Sequence, residues 1–262
     1  MVECAILVAL ACVLSVFKLV EMPYGGSVTL ASALPILIAA YRHGSGWGIL
    51  SGFTFAVVQQ LLGLKTLSYV TGWQSVVAVI FIDYILAFTL LGLGGAFRKI
   101  FEKQSTGMAV GAVFACLLRY ICHVIAGATV WRGLSIPDSA AMIYSLGYNA
   151  TYMLPEAVVL TVAAVYIGSL LDFSRPTLVR LAREERDIKA FPYHAVAGAS
   201  ILAAAIVDVV LLAPYLQDEE GMFTFARLGE ANLLAVLIVS ALCAVIAVLS
   251  LAIRHIREAK ER

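Results

Sequence analysis

Residues 119–149 read RYICHVIAGATVWRGLSIPDSAAMIYSLGYN, and the rest of the chain is best understood outward from them. Two apolar runs flank a break carrying Pro137 and Asp138, so the stretch reads as the end of one helix, a loop and the start of the next. Within the first run Arg119, His123, Gly127 and Trp131 recur every four residues, which draws one slowly drifting stripe along a helix face. Tyr144, Tyr148 and Asn149 enter the second helix, where they can face that stripe across the loop. Polar and aromatic groups concentrated in this way make a candidate binding site. Plain packing produces similar stripes, and spacing alone does not separate the two.

Composition sets the class. Of 262 residues, 62% are hydrophobic and only 13% charged, and the mean hydropathy is +0.95. So few charges do not cover a soluble surface of this size, so the chain reads as an all-α polytopic membrane protein. A net charge of +1 offers no footprint for nucleic acid. The five cysteines show no CxxC or Cys/His metal spacing and read as small core residues, so neither a metal nor a cofactor is expected. The N-terminal apolar run lacks a basic flank and reads as a retained first helix.

Taken in order, apolar segments near 4–20, 28–41, 47–62, 75–97, 108–131 and 141–171 predict six helices. Residues 21–28, EMPYGGSV, are expected to form a loop, because Pro23, Gly25 and Gly26 stop a helix. The second segment carries Pro35 and is short for a span. A charged linker over 173–192 then separates a core at 1–172 from a two-helix hairpin at 193–262, with helices near 193–216 and 231–253. Eight spans in a six-plus-two arrangement result.

Thirteen Lys and Arg residues fall in one set of loops and termini, and four, Lys18, Lys65, Arg132 and Arg227, in the other. Basic residues near span ends stay on the cytoplasmic side, which predicts a plasma-membrane protein with both termini inside. Depth then follows from rise per residue: His123 lies roughly 12 Å below Trp131, Asp83 at roughly the same depth, and Asn149 roughly 7 Å down. Three polar groups from three helices thus converge in the outer half of the membrane. A carboxylate there costs about 2.5–3.5 kcal/mol on insertion scales, so Asp83 calls for a partner. Arg119 and Glu156 each lie roughly 18 Å from the outer surface, which makes them a candidate ion pair.

These residues resemble the thiamine-specific substrate-binding (S) components of energy-coupling factor (ECF) vitamin transporters. RYICHVIAGATVW and the following YSLGYN carry most of the likeness, supported by MPYGGSVTLASALPILIAAYRHG and DYILAFTLLGLGG, over residues 1–172. The resemblance implies a six-helix S-component bundle with a thiamine pocket near the outer face, closed by the loop between helices 1 and 2. It further implies His123, Gly127 and Trp131 as the helix 5 wall, Tyr144 and Asn149 as the helix 6 wall, and Asp83 with Tyr84 on helix 4. Tyr69 or Trp73 matches an aromatic before helix 4, and Tyr148 is a further candidate. Ala5 and Ala9 are similar to the small-residue motif that meets a transmembrane coupling subunit. No GxxxxGK[ST] loop is present, so ATP hydrolysis falls to partner ATPase subunits.

Thiamine chemistry suits such a site. Trp131 and His123 offer faces to its cationic thiazolium, Asp83 a counter-charge and acceptor, Asn149 an amide, and Tyr84 and Tyr144 hydroxyls. Gly127 reads either as room for the ligand or as helix packing. Two alternatives remain at this point: an S component for another vitamin or pyrimidine precursor, and a membrane enzyme using Asp83 and His123 as an acid/base pair. The candidate Arg119–Glu156 pair predicts that Arg119→Ala destabilises and that adding Glu156→Ala partly restores stability.

Overall fold

Backbone-to-backbone contact through small residues holds three helices of this fold together. A computed structural model describes residues 1–22, 25–175, 177–181, 191–219 and 223–261. Its helices are α1 (Val2–Val16), α2 (Leu34–His43), α3 (Ser45–Leu62), α4 (Trp73–Lys99), α5 (Gln104–Thr129), α6 (Ala141–Leu170), α7 (Phe191–Leu212) and α8 (Leu233–Glu261). A Cβ on Gly48 of α3 would sit 2.6 Å from the Gly92 carbonyl of α4, and one on Gly94 would sit 2.9 Å from the Gly111 carbonyl of α5. Any side chain there would hold the helices apart.

The chain is an all-α membrane protein. Among the described residues five helices are long and apolar enough to cross a bilayer: α4, α5, α6, the Val196–Tyr215 stretch and the Leu233–Arg254 stretch. The first three helices depart from the eight full spans expected. Helix α1 is apolar but has only 15 residues, and α2 has 10, a rise of about 15 Å against a hydrocarbon core of about 30 Å.

The reason lies between α1 and α2. Where the sequence suggested a loop and then a helix, the backbone forms an antiparallel hairpin of β1 (Lys18–Glu21) and β2 (Ser27–Thr29), with Lys18 opposite Thr29 and Glu21 opposite Ser27. The hairpin's Pro23 and Tyr24 lie outside the described residues. After β2 the chain turns through Ala31 at φ 55°, and Pro35 sits in the first turn of α2, where its missing N–H costs nothing.

Non-helical backbone is tolerated at membrane depth only where its donors find partners inside the protein. Glu156 of α6, 1% exposed, supplies that partner. It accepts the Thr29 N–H at 2.6 Å and the Thr29 hydroxyl at 2.8 Å. The Ser32 hydroxyl lies 2.7 Å from that of Thr29. Arg119 is farther away, with Nη1 3.9 Å from Oε1. The pair read from sequence is therefore a loose one, and the carboxylate's shorter bonds anchor the buried end of the hairpin.

At the opposite end Glu3 of α1 meets Arg42 and His43 of α2, with Arg42 Nε at 2.5 Å and His43 Nε2 at 3.0 Å. Arg42 also reaches the Arg175 carbonyl at 3.3 Å. Of the 173–192 linker, residues 176 and 182–190 lie outside the described residues, and β3 (Leu171–Asp172) pairs with β4 (Val179–Arg180) at its start. Helices α7 and α8 pack as a hairpin in which the Ser240 hydroxyl donates to Asp208 at 2.5 Å. Gly198 brings α7 close to Val162 of α6.

This bonding reverses one expectation from the sequence. Glu156→Ala strands the Thr29 N–H, at a cost of about 1–3 kcal/mol for an unpaired buried group. Adding Glu156→Ala to Arg119→Ala should therefore lower the melting temperature further. Thermal unfolding of the two single variants and the double tests this, and a double variant more stable than Arg119→Ala would refute it.

Candidate ligand-binding site

A cavity of about 950 Å³ opens beneath the β1–β2 hairpin, within the range of small-molecule sites. Helix α4 contributes Asp83, Tyr84 and Phe88, α5 contributes Arg119 and His123, and α6 contributes Tyr148, Asn149 and Tyr152. Asp83 and Tyr84 sit in a π-helical stretch, Val79–Leu86, within α4. Such wide turns occur often at functional sites, and here both neighbours in sequence line the cavity.

One chain of hydrogen bonds crosses the site. Arg119 Nε–H donates to His123 Nε2 at 3.1 Å, so that nitrogen is an acceptor and the proton belongs on Nδ1. Nδ1 lies 3.0 Å from Asp83 Oδ1. The other carboxylate oxygen accepts the Trp131 indole N–H at 2.8 Å. Arg119 also rests its guanidinium 4.3 Å from the centre of the Phe88 ring, an attraction worth about 0.5–2 kcal/mol. The relay fixes the imidazole between a cation and an anion and fixes the indole at the cavity wall.

A second set of contacts joins the hairpin to α6. The Tyr148 hydroxyl donates to the Gly25 carbonyl at 2.8 Å. Gly26, at φ +85°, lets the backbone lie against Tyr152, where a Cβ would come within 2.8 Å of the ring. Tyr152 donates to Asn149 Oδ1 at 2.5 Å, and Asn149 Nδ2 donates to the Ser145 carbonyl at 2.9 Å and the His123 carbonyl at 3.2 Å.

A family model described as thiamine transporter protein matches residues 1–173. The chain belongs to that family. The thiamine transporter ThiT of Bacillus subtilis is 31% identical over 191 residues, covering 69% of this chain and 93% of its own length. ThiT of Lacticaseibacillus paracasei is 29% identical over 162 residues, covering 58% of this chain and 73% of its own. A solved structure of ThiT from Listeria monocytogenes, 22% identical, aligns with a TM-score of 0.53 over 64% of this chain and 91% of that one, a likeness of fold. As a member of that family the chain is a transporter. The family match ends just after α6, leaving α7 and α8 as additions to it.

In this thiamine transporter family member the residues singled out from sequence divide into two groups. Asp83, Tyr84, His123, Gly127, Trp131, Tyr148 and Asn149 line the cavity, as does Tyr69. Trp73 stands outside it at 73% exposed. Tyr144 is also outside, because its ring stacks on Phe225 at 5.5 Å and meets the edge of Phe223 at 6.3 Å. Both phenylalanines come from the α7–α8 connection. Gly127 reaches the cavity, yet a Cβ there would collide with the Ser145 hydroxyl of α6, so its smallness serves the α5–α6 contact. Ala5 and Ala9 lie on the exposed face of α1 beside Ile6 and Leu10.

Sequence reasoning missed Thr29, Thr66, Phe88 and Tyr152. Tyr148 and Tyr152 are four apart and share a helix face, a signal that was available. Thr66, 3.1 Å from the Tyr84 hydroxyl, sits in a short 3-10 turn, Leu64–Tyr69, that left no pattern to read.

Because Asp83 holds two N–H groups, Asp83→Ala leaves both without an acceptor and frees the indole. In a background with Trp47 and Trp73 replaced by Phe, ligand-free Trp131 fluorescence should lose anisotropy. Stability should fall by about 1–3 kcal/mol in chemical denaturation. Unchanged anisotropy would show that the indole is held by packing instead.

Proposed function

We infer that this protein is the thiamine-binding subunit of an energy-coupling factor transporter, capturing thiamine at high affinity from the extracellular face. The observation that carries this reading is the relay at the cavity. It sets the Asp83 carboxylate in the cavity wall, between the His123 imidazole and the Trp131 indole, with Arg119 behind the imidazole. That carboxylate stands beside an aromatic wall of Trp131, Tyr84 and Tyr148, a combination that favours a permanently cationic aromatic ligand. Within the site, Asp83 gives the counter-charge, His123 and Trp131 the aromatic faces, and Tyr69, Tyr84 and Tyr148 further ring area. Asn149 acts by bracing α5 against α6, since its amide hydrogens are spent on backbone carbonyls.

The acid/base reading fares poorly. Both nitrogens of His123 and both oxygens of Asp83 are engaged with one another or with neighbours, whereas general acid/base work needs a group that can reach a substrate proton. The protein therefore acts by binding and not by catalysis. Its termini lie in the cytoplasm, its cavity opens outward, and energy comes from partner ATPase subunits through a transmembrane coupling subunit. Ala5 and Ala9, with the apolar face around them, form the contact for that subunit. Residues 1–172 make the family core, 173–192 link it to the hairpin, and no cofactor or metal takes part.

Thiamine added to the purified protein should quench Trp fluorescence, and Trp131→Ala should remove most of the response. Absence of heat in calorimetry would sink the thiamine assignment, and a response to another vitamin would redirect it. Asp83→Asn should weaken binding by about 10–100-fold, more than Asp83→Glu, because only the first loses the charge. Equal losses would point to fit over charge.

Ala9→Trp should leave binding to the isolated protein unchanged while abolishing uptake in cells expressing the whole complex. Lost binding in that variant would make the alanine pair internal to the fold.

A further inference from the structure

The connection between the two added helices packs against the wall of the site. Between α7 and α8 the chain pairs Gln217 with Phe223 in an antiparallel bridge, and the Thr224 N–H donates to the Leu216 carbonyl at 3.0 Å. This places Phe223, 0% exposed, in the outer rim of the six-helix core. Its N–H donates to the Ser135 carbonyl at 2.8 Å, and Ser135 and Ile136 line the cavity. Its ring meets the Tyr148 ring edge-on at 5.4 Å. Tyr148 in turn holds the hairpin through the Gly25 carbonyl.

We propose that Phe223 is a positioning residue for the ligand site, and that α7 and α8 act as a latch that sets the Tyr148 ring and so keeps the β1–β2 hairpin over the cavity. The physics is local. Edge-to-face aromatic pairs favour one ring orientation, and the Tyr148 hydroxyl reaches Gly25 only while its ring keeps that orientation. Phe225 stacks on Tyr144 and backs Phe223 at 5.0 Å, so the wedge is supported from behind. The core at 1–172 thus borrows support for its cavity wall from residues beyond the family match. The ligand half of the proposal rests on the thiamine reading, whereas the latch half does not.

Hydrogen exchange on the full-length, ligand-free protein tests the latch directly. Phe223→Ala should speed exchange at Lys18–Glu21 and Ser27–Thr29 by about tenfold, the scale of one such aromatic contact, while Ser45–Leu62 keeps its protection. Phe223→Leu, which retains most of the apolar fill, should fall between and carries the test if the alanine variant does not fold. Tyr148→Phe, which removes only the hydroxyl, should loosen the same strands, and adding Phe223→Ala to it should add little. In stopped-flow fluorescence, thiamine should leave Phe223→Ala about tenfold faster than the parent with its association rate nearly unchanged. Hairpin exchange that is unaltered in both Phe223 variants, or additive loss in the double variant, overturns the latch. A parent protein with no thiamine signal, whose hairpin still loosens on Phe223→Ala, sinks the ligand assignment and supports the latch.

Discussion

A carboxylate sealed inside a membrane protein has to be met by donors, and the bonds that Glu156 accepts decide where the N-terminal third of this chain can go. Because the Thr29 N–H and hydroxyl both end on that side chain, the segment between α1 and α2 dips below the surface as extended backbone instead of helix. Helix α2 begins only after that dip, and Thr29 and Ser32 line the cavity. The same carboxylate faces Arg119, which begins the relay to Asp83 and Trp131. Fold and site therefore share one buried anion.

Much of this was legible in the chain. Counting residues from the outer interface was enough to bring Asp83 and His123 to one level, with Asn149 about one helical turn above them, because straight helices convert sequence distance into depth at a constant rate. Four-residue spacing from Arg119 to His123 likewise implied a contact along one face, and the Nε to Nε2 bond follows it. What could not be read were events that break the helical ruler. The 21–28 segment contains the glycines of a turn but no alternating strand pattern, so the hairpin had no periodicity to announce it. Without the hairpin, Glu156 could be read as pairing with Arg119, facing a polar cavity or capping backbone after Pro155, and its bonds to Thr29 were invisible.

Tyr144 illustrates the other limit. Its position on α6 pointed toward the site, and nothing local contradicted that. The competing aromatic partners, Phe223 and Phe225, lie about eighty residues onward in a loop with no helical or strand signature. Side-chain direction at the edge of a bundle is set by whichever neighbour arrives, and a sequence gives no account of arrivals from so far along the chain. Tyr69 against Trp73 was a similar choice: Tyr69, at the end of the 3-10 turn, borders the cavity, and Trp73 stands in the surroundings.

The glycine contacts of α3, α4 and α5 carry a consequence for selectivity. With the Gly48, Gly92, Gly94 and Gly111 backbones so close, the helices beyond the deep end of the cavity have little room to slide or part for a larger guest. Whatever adaptability the cavity has must come from its outer rim, where a hairpin, a 3-10 turn and the α5–α6 loop meet. Molecules enlarged at the buried end press on helices that are locked together, while those enlarged at the exposed end meet parts that can shift. Discrimination in such a vessel is steep at the bottom and lenient at the top.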